Sequence, residues 1–299
     1  MVVTDLVFDV TLCLLLVGAS VGLVVTADAG AVDGGAVGAG RPTPDADGIA
    51  ASLATSTATV QYDLEPGVDA ADPSLLGADG VDSRELDRTA HGSLAGLLAR
   101  ATLGATTVDG VRLTHARDDL RRQVATRVAS ELPARGVQIA VHWSPYPSAP
   151  IRATDTLGPT PPSSATVHAA TIDVPSGFPS ARDDALAASD DGFDAVAGVV
   201  ANRTVAGLFP PTLARLALRG DEPVSTLMRH RYERAGSLVG ASVAPEVARE
   251  ETRAANADLG AALAPRLAAD MRTRYDDPES AADAVAVGRV TIVVRTWSP

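Results

Sequence analysis

Residues 10–27, VTLCLLLVGASVGLVVTA, run for 18 positions without a charge. As a helix this stretch is about 27 Å long, close to the ~30 Å hydrocarbon thickness of a bilayer. Leu6, Val7 and Phe8 prolong it across Asp9. A segment this apolar needs lipid or a protein core around it, so it limits the chain's arrangement more than any other feature. Residues 1–27 read as a retained transmembrane helix. A cleaved secretory signal and a buried core helix are the competing readings. A signal carries a basic leading region, and Met1–Asp5 has none, although Thr26–Ala29 offers small residues suited to cleavage. The positive-inside rule has nothing to count before Arg41.

Three positions in this segment carry polar or packing information. Gly18 and Gly22 form GxxxG, which lets two membrane helices bring their backbones close. The same residues match GxSxG around Ser20, but a nucleophile elbow needs a strand-to-helix turn, and this run has none. Asp9 is an ionisable group beside an apolar helix, costing up to ~3 kcal/mol at a bilayer centre and less near an end. It either marks the helix start at headgroup level or pairs with a cation on a neighbouring helix. Cys13 is the lone cysteine, which excludes intrachain disulfides and thiolate metal sites.

Charge bears on the rest of the chain. The formal net charge is -12, and all 25 basic residues are arginine. Multimolar salt shortens the Debye length to about 3 Å or less and so screens the self-repulsion of a dense acidic surface. Arginine is also less strongly hydrated than lysine. The composition reads as adaptation to high salt, with a GC-rich codon bias, which also favours Ala, Arg, Asp, Gly and Val over Lys, as the competing reading. It argues against nucleic-acid binding, which needs a basic footprint. The apolar share is mostly Ala and Val, so the core is expected to be built of small side chains.

Residues 28–56, rich in Ala, Gly, Asp and Pro, read as a flexible linker. Gly34, Gly35, Gly38 and Gly40 follow no soluble strand and lack a lysine, so they are not a phosphate loop. An α+β domain is expected over 57–299. Alternation predicts strands at 58–64, 137–143, 166–174 and 289–297. Helical periodicity predicts helices over 83–101 and 114–132 and through most of 180–275, with prolines opening successive helices. Residues 65–83 and the Pro- and Ser-rich stretch 144–164 read as loops. Ser180–Asp183 resembles a capping box. The order of elements implies a small, mainly antiparallel sheet covered by helices, with the last strand inserted into it.

Few residues suggest chemistry. His91, His115, His142, His168 and His230 share no metal-ligand spacing, so no metal or cofactor is expected. Arg229-His230-Arg231 with Arg234 forms a basic patch expected to be balanced by nearby acids. The pairs Asp183-Asp184 and Asp190-Asp191 read as solvated surface, because the calcium-loop spacing is absent. Asn202-Arg-Thr204 is a glycosylation sequon within an expected helix, usable only outside the cytoplasm.

The segment Asp9–Ser20, DVTLCLLLVGAS, and the closing Val287–Trp297, VGRVTIVVRTW, resemble the two ends of uncharacterised haloarchaeal membrane proteins encoded beside type IV pilus-like secretion ATPases. The resemblance covers about 25 residues. It implies a pilin-like or pseudopilin-like subunit with a hydrophobic N-terminal helix and an external domain. In such pilins an acid near the mature N-terminus neutralises the terminal amine of the adjoining subunit, and Asp9 or Asp5 is placed for that role. The prepilin leader's basic residue and glycine are absent from Val2-Val3-Thr4.

The expected function is therefore non-enzymatic: a cell-membrane, single-pass accessory or minor-pilin-like subunit, its folded domain extracytoplasmic. Its partners would be the membrane and other membrane-helix subunits, or copies of itself. A membrane-tethered domain that binds a ligand or senses an envelope component is the alternative. An anchored hydrolase would require Ser, His and Asp in mutual hydrogen-bond reach.

Overall fold

A computed structural model describes residues 24–26, 45–76, 80–132 and 135–298. Asp9, Gly18, Gly22 and most of the expected membrane helix lie outside them. Among the described residues no helix is long and apolar enough to cross a membrane.

The expected helix over 1–27 is corrected at its end. Val24–Thr26 is a strand, β1, paired antiparallel with a later strand over Thr171–Asp173. Two valines and a threonine suit extended backbone, and a sheet edge offers them hydrogen bonds.

The expected linker is corrected in its second half. Ala46–Thr55 is helix α1, capped by Asp45, whose carboxylate accepts from the backbone N–H of Asp47 and Gly48. Ala46, Ala50 and Leu53 fall at helical spacing and are buried.

Next come β2 (Thr57–Tyr62), α2 (Glu65–Ala71), α3 (Ser83–Leu86) and β3 (Arg88–Ser93). The helix expected over 83–101 is therefore broken. β3 pairs along its whole length with β2, and Ser93 caps a new helix, α4 (Leu94–Leu103), by accepting from Gly96 N–H. A short hairpin, β4 (Thr107–Val108) and β5 (Val111–Arg112), leads to α5 (Asp118–Glu131) and β6 (Val137–Trp143).

The stretch expected to be loop over 144–164 contains a further strand, β7 (Ile151–Leu157), with strictly alternating burial. β8 (Val167–Pro175) follows. Helices then fill most of 182–283: α6 (Arg182–Ala187), α7 (Phe193–Leu208), α8 (Pro211–Arg219), α9 (Val224–Val239), α10 (Ala244–Ala248), α11 (Thr252–Arg274) and α12 (Pro278–Asp283). Pro211 and Pro245 open helices as expected, whereas Pro265 lies inside α11. No side chain caps α6, so the expected box at Ser180 does not form. β9 (Arg289–Trp297) ends the fold.

The class is α+β, and the strands pair antiparallel. The main sheet is larger than expected, with seven strands in the order β1-β8-β9-β6-β7-β4-β5; β2 and β3 form a separate pair. β9 is inserted between β8 and β6, with Ile292 opposite both Val141 and Ile172. Val290, Ile292 and Val294 are buried on the covered face, where α1 and α4 pack.

Beyond the sheet, α7 and α11 pack along each other. Small residues permit this: Ala197, Ala201, Ala255 and Ala268 are buried, and Gly260 admits the Asn202 side chain. Trp143 of β6 holds the loop that follows β8 and the loop that precedes β9. Its indole N–H donates to Val287 O at 2.9 Å, and its ring meets Phe178 edge-on at 5.0 Å.

Candidate functional site

A cleft of about 230 Å³ opens between the β2–β3 pair, the turn before α5, and α9. Tyr62 and Arg88, which are register partners, form one wall. Thr114, Ala116 and Arg117 form the second. Val224, Leu227, Met228 and Arg231 of α9 form the third. Leu64, Val68 and Leu86 make a small core that holds α2 in place beside it, with Tyr62 and Leu227 packed against them.

Two glycines seat the turn that carries Arg117. A Cβ on Gly67 of α2 would come within 2.5 Å of Ala116 Cα. A Cβ on Gly104, at the end of α4, would come within 2.5 Å of Arg117 Cβ and 2.9 Å of its Cγ and Cδ. The chain thus closes tightly on both sides of Ala116-Arg117, and the arginine stem lies along the glycine backbone.

Among the described residues, the charged side chains lining the cleft are all arginines. Arg88 is oriented by its own backbone: one guanidinium nitrogen donates to Glu85 O and Asp87 O, each at 2.7 Å. Arg231 lies over the Phe209 ring at 5.0 Å, and its Nε is enclosed with no hydrogen-bond partner. Burial, reinforced by the charge of Arg117, pulls the Arg231 guanidinium down to about 10. Burial and Arg117 also lower Arg100 behind the cleft.

Among the described residues no carboxylate lies within salt-bridge distance of Arg88, Arg117 or Arg231. Other arginines of this acidic chain are paired: Arg121 with Asp155 (2.7 Å), Arg127 with Glu131 (2.7 Å), Arg112 with Asp118 (2.9 Å) and Arg274 with Asp270 (2.8 Å). A concave surface with three unpaired guanidinium groups can hold an anion through charge-assisted, bidentate hydrogen bonds. Its volume lies below the ~300 Å³ at which pockets for drug-sized ligands begin, so it fits one anionic group of a ligand.

The candidate residues of the sequence are mostly dispersed. His91 is hydrogen bonded to the Thr59 hydroxyl at 3.0 Å, and His115 to Asp118 at 2.8 Å. His142 and His168 are exposed on β6 and β8. Burial and then Arg295 lower His142; burial leads the lowering of His230. Among the described residues no three His, Cys, Asp or Glu side chains converge as a metal site requires. Asp183, Asp184, Asp190 and Asp191 are exposed. Asn202 is exposed midway along α7, with its amide oxygen against Gly260 of α11.

The basic patch on α9 divides. Arg234 donates to Arg112 O at 3.4 Å and Arg229 lies beside Glu222, but Arg231 enters the cleft without the expected acidic partner. Arg88 and Arg117 carry no local signal. They meet Arg231 only through the fold, and the one hint, Gly104, gains its meaning once Arg117 lies over it.

No curated protein and no solved structure matches the chain. One family model does, over residues 8–297, a span that takes in the N-terminal apolar stretch together with the sheets and helices described above. The chain therefore belongs to that family, DUF7284, a family of unknown function.

Proposed function

We propose that this chain is a membrane-anchored, non-enzymatic binding domain that captures an anionic group, phosphate or carboxylate, in the Arg88–Arg117–Arg231 cleft. One observation carries the reading: three arginines without carboxylate partners line a single concavity in a chain whose net charge is -12. An acidic protein has ample means to neutralise them, as it does for Arg112, Arg121, Arg127 and Arg274. Leaving them unpaired costs mutual repulsion, which a bound anion relieves. The anchor rests on the apolar stretch ahead of β1, from Leu6 to Leu23 around Asp9. The expected setting is the cell membrane in high salt, with the domain outside the cytoplasm.

Thermal unfolding of the full chain in detergent, with pyrophosphate as the probe, tests this. Ionic strength is held constant with chloride. At a hundredfold excess over Kd, binding adds about 2.7 kcal/mol, or roughly 5–10 °C in Tm for a domain of this size. Arg117→Gln and Arg231→Gln are expected to unfold cooperatively without that rise. A rise of equal size in both variants would place the anion elsewhere.

A second reading, an accessory or minor-pilin-like subunit of an archaeal type IV pilus or secretion apparatus, is favoured by the N-terminal segment. The family match begins at residue 8, so it takes in the apolar stretch as well as the folded domain. Gly18 and Gly22 would pack against a neighbouring helix, and Asp9 would fix its register. Capture of partners from membranes in high salt, wild type against Asp9→Ala, tests this. Loss of membrane-helix partners supports assembly through Asp9, and an unchanged partner set removes it.

A further inference from the structure

Helix α8 presents an unusual outer face. Ala214 and Leu218 are buried, while Leu213 and Leu216, one turn apart, are 52% and 51% exposed. They are the most exposed large apolar residues among those described. Thr212, Arg219 and Arg215 complete the outer face, so the helix is apolar along one outer edge and basic along the other.

The basic edge continues onto the start of α11. A groove of about 430 Å³ is lined by Arg215, Arg219, Arg249 and Arg253, against two glutamates. Glu250 pairs with Arg219, and Glu251 with Arg249. Arg215 and Arg253 have no carboxylate within salt-bridge distance among the described residues. A basic strip in a chain of net charge -12, bordered by two exposed leucines, complements a surface that is anionic above and apolar beneath.

We propose that this face of α8 rests on the bilayer, Leu213 and Leu216 entering the acyl boundary while Arg215 and Arg253 contact lipid phosphates. Two leucines bury too little area to hold a free protein on a membrane. They suffice to orient a domain already tethered there, because tethering raises the effective concentration of the second contact. The contact thus rests on the membrane-anchor part of the proposed function and is independent of the arginine cleft. Salt weakens the long-range attraction but acts less on guanidinium–phosphate pairs in contact.

The test uses the full chain carrying Cys13→Ser, reconstituted in vesicles of phosphatidylglycerol or of phosphatidylcholine. An environment-sensitive dye is placed at Thr212→Cys on the α8 face or, as a control, at Ser130→Cys on α5. In phosphatidylglycerol vesicles the dye at 212 is expected to shift to the blue and to be quenched at least threefold more strongly by headgroup nitroxides than the dye at 130. Leu213→Ser with Leu216→Ser removes the difference in both lipids, whereas Arg215→Gln with Arg253→Gln removes only the preference for phosphatidylglycerol. Equal quenching at 212 and 130 in protein that resists alkaline carbonate extraction overturns the contact and leaves the anchor standing. Release by carbonate overturns the anchor and the contact with it. A response at 212 that grows with protein density at fixed lipid overturns the lipid contact in favour of self-association.

Discussion

Arg117 lies directly over Gly104, so close that a Cβ on the glycine would stand 2.5 Å from the arginine's own Cβ. This contact joins the end of α4 to the turn before α5 and fixes one wall of the cleft. Gly104→Ala must push Arg117 aside. The variant is expected to lose about 1–3 kcal/mol through overpacking and, while still folded, most of the pyrophosphate-induced rise in Tm. A full rise in Tm would show that the position of Arg117 does not matter to the cleft.

Asp63 and Asp119 face each other where β2 meets α5, and Asp63 N–H donates to Asp119 Oδ2 at 3.0 Å. Burial, then the Asp119 charge, raises the Asp63 carboxyl. Burial also acts to raise Asp119, but the Asp63 N–H, the Gln123 amide and Arg122 outweigh it and bring it down. The signs are opposite. The Asp63 contribution is present below the unfolded aspartate pKa of about 3.9 and is lost as pH rises through the raised folded value. The Asp119 contribution is present above that unfolded value and is lost as pH falls through the lowered one. At neutral pH Asp63→Asn is expected to stabilise slightly, by well under about 1 kcal/mol given its partial exposure, and Asp119→Asn to destabilise. Thermal melts between pH 3 and 7 check this, and a shared direction for the two variants would contradict it.

Arg121 grips Asp155 with two nitrogens, at 2.7 and 2.8 Å, and so ties α5 to the buried side of β7. The exposed pair Arg127–Glu131 on the same helix has no such enclosure. Breaking the first with Arg121→Gln should cost about 1–2 kcal/mol, discounted for the arginine's exposure, and the cost should persist in multimolar salt. Arg127→Gln should fall within about 0.5 kcal/mol of wild type. Denaturant melts at low and high salt separate the two.

Gly260 has the Asn202 amide where a side chain would begin: a Cβ there would stand 2.4 Å from Asn202 Oδ1. Gly260→Ala is expected to part α7 from α11 and destabilise by about 1–3 kcal/mol. Asn202→Ala in the same background should recover part of that loss, since it vacates the space. The same crowding bears on the sequon at Asn202: the amide must move off Gly260 before its nitrogen can take a glycan, so mass spectrometry of wild type is expected to show low occupancy.

The legible parts of the fold are those where period and burial agree. β9 is readable because Val290, Ile292 and Val294 alternate with Thr291, Val293 and Arg295, and its apolar character on both faces suits an inserted strand. β7 alternates as well, but one of its inward residues is Asp155, whose partner Arg121 lies on α5. A charged residue at an inward position conceals a strand until its partner is known. α1 is hidden by a composition of Ala, Gly and Asp that reads as linker, although Asp45 and the spacing of Ala46, Ala50 and Leu53 carry a cap and a helical period. The cleft is not readable locally. Arg88, Arg117 and Arg231 come from three distant segments, and what marks them is the lack of acidic neighbours in space, which sequence order does not record.

The anion cleft is tested most directly by locating an anion. Crystals of the protein soaked in selenate and measured at the selenium edge are expected to show an anomalous peak between the Arg88, Arg117 and Arg231 guanidinium groups, absent in Arg117→Gln. Selenate bound at other positions, with the cleft holding only water in wild type, would contradict the account.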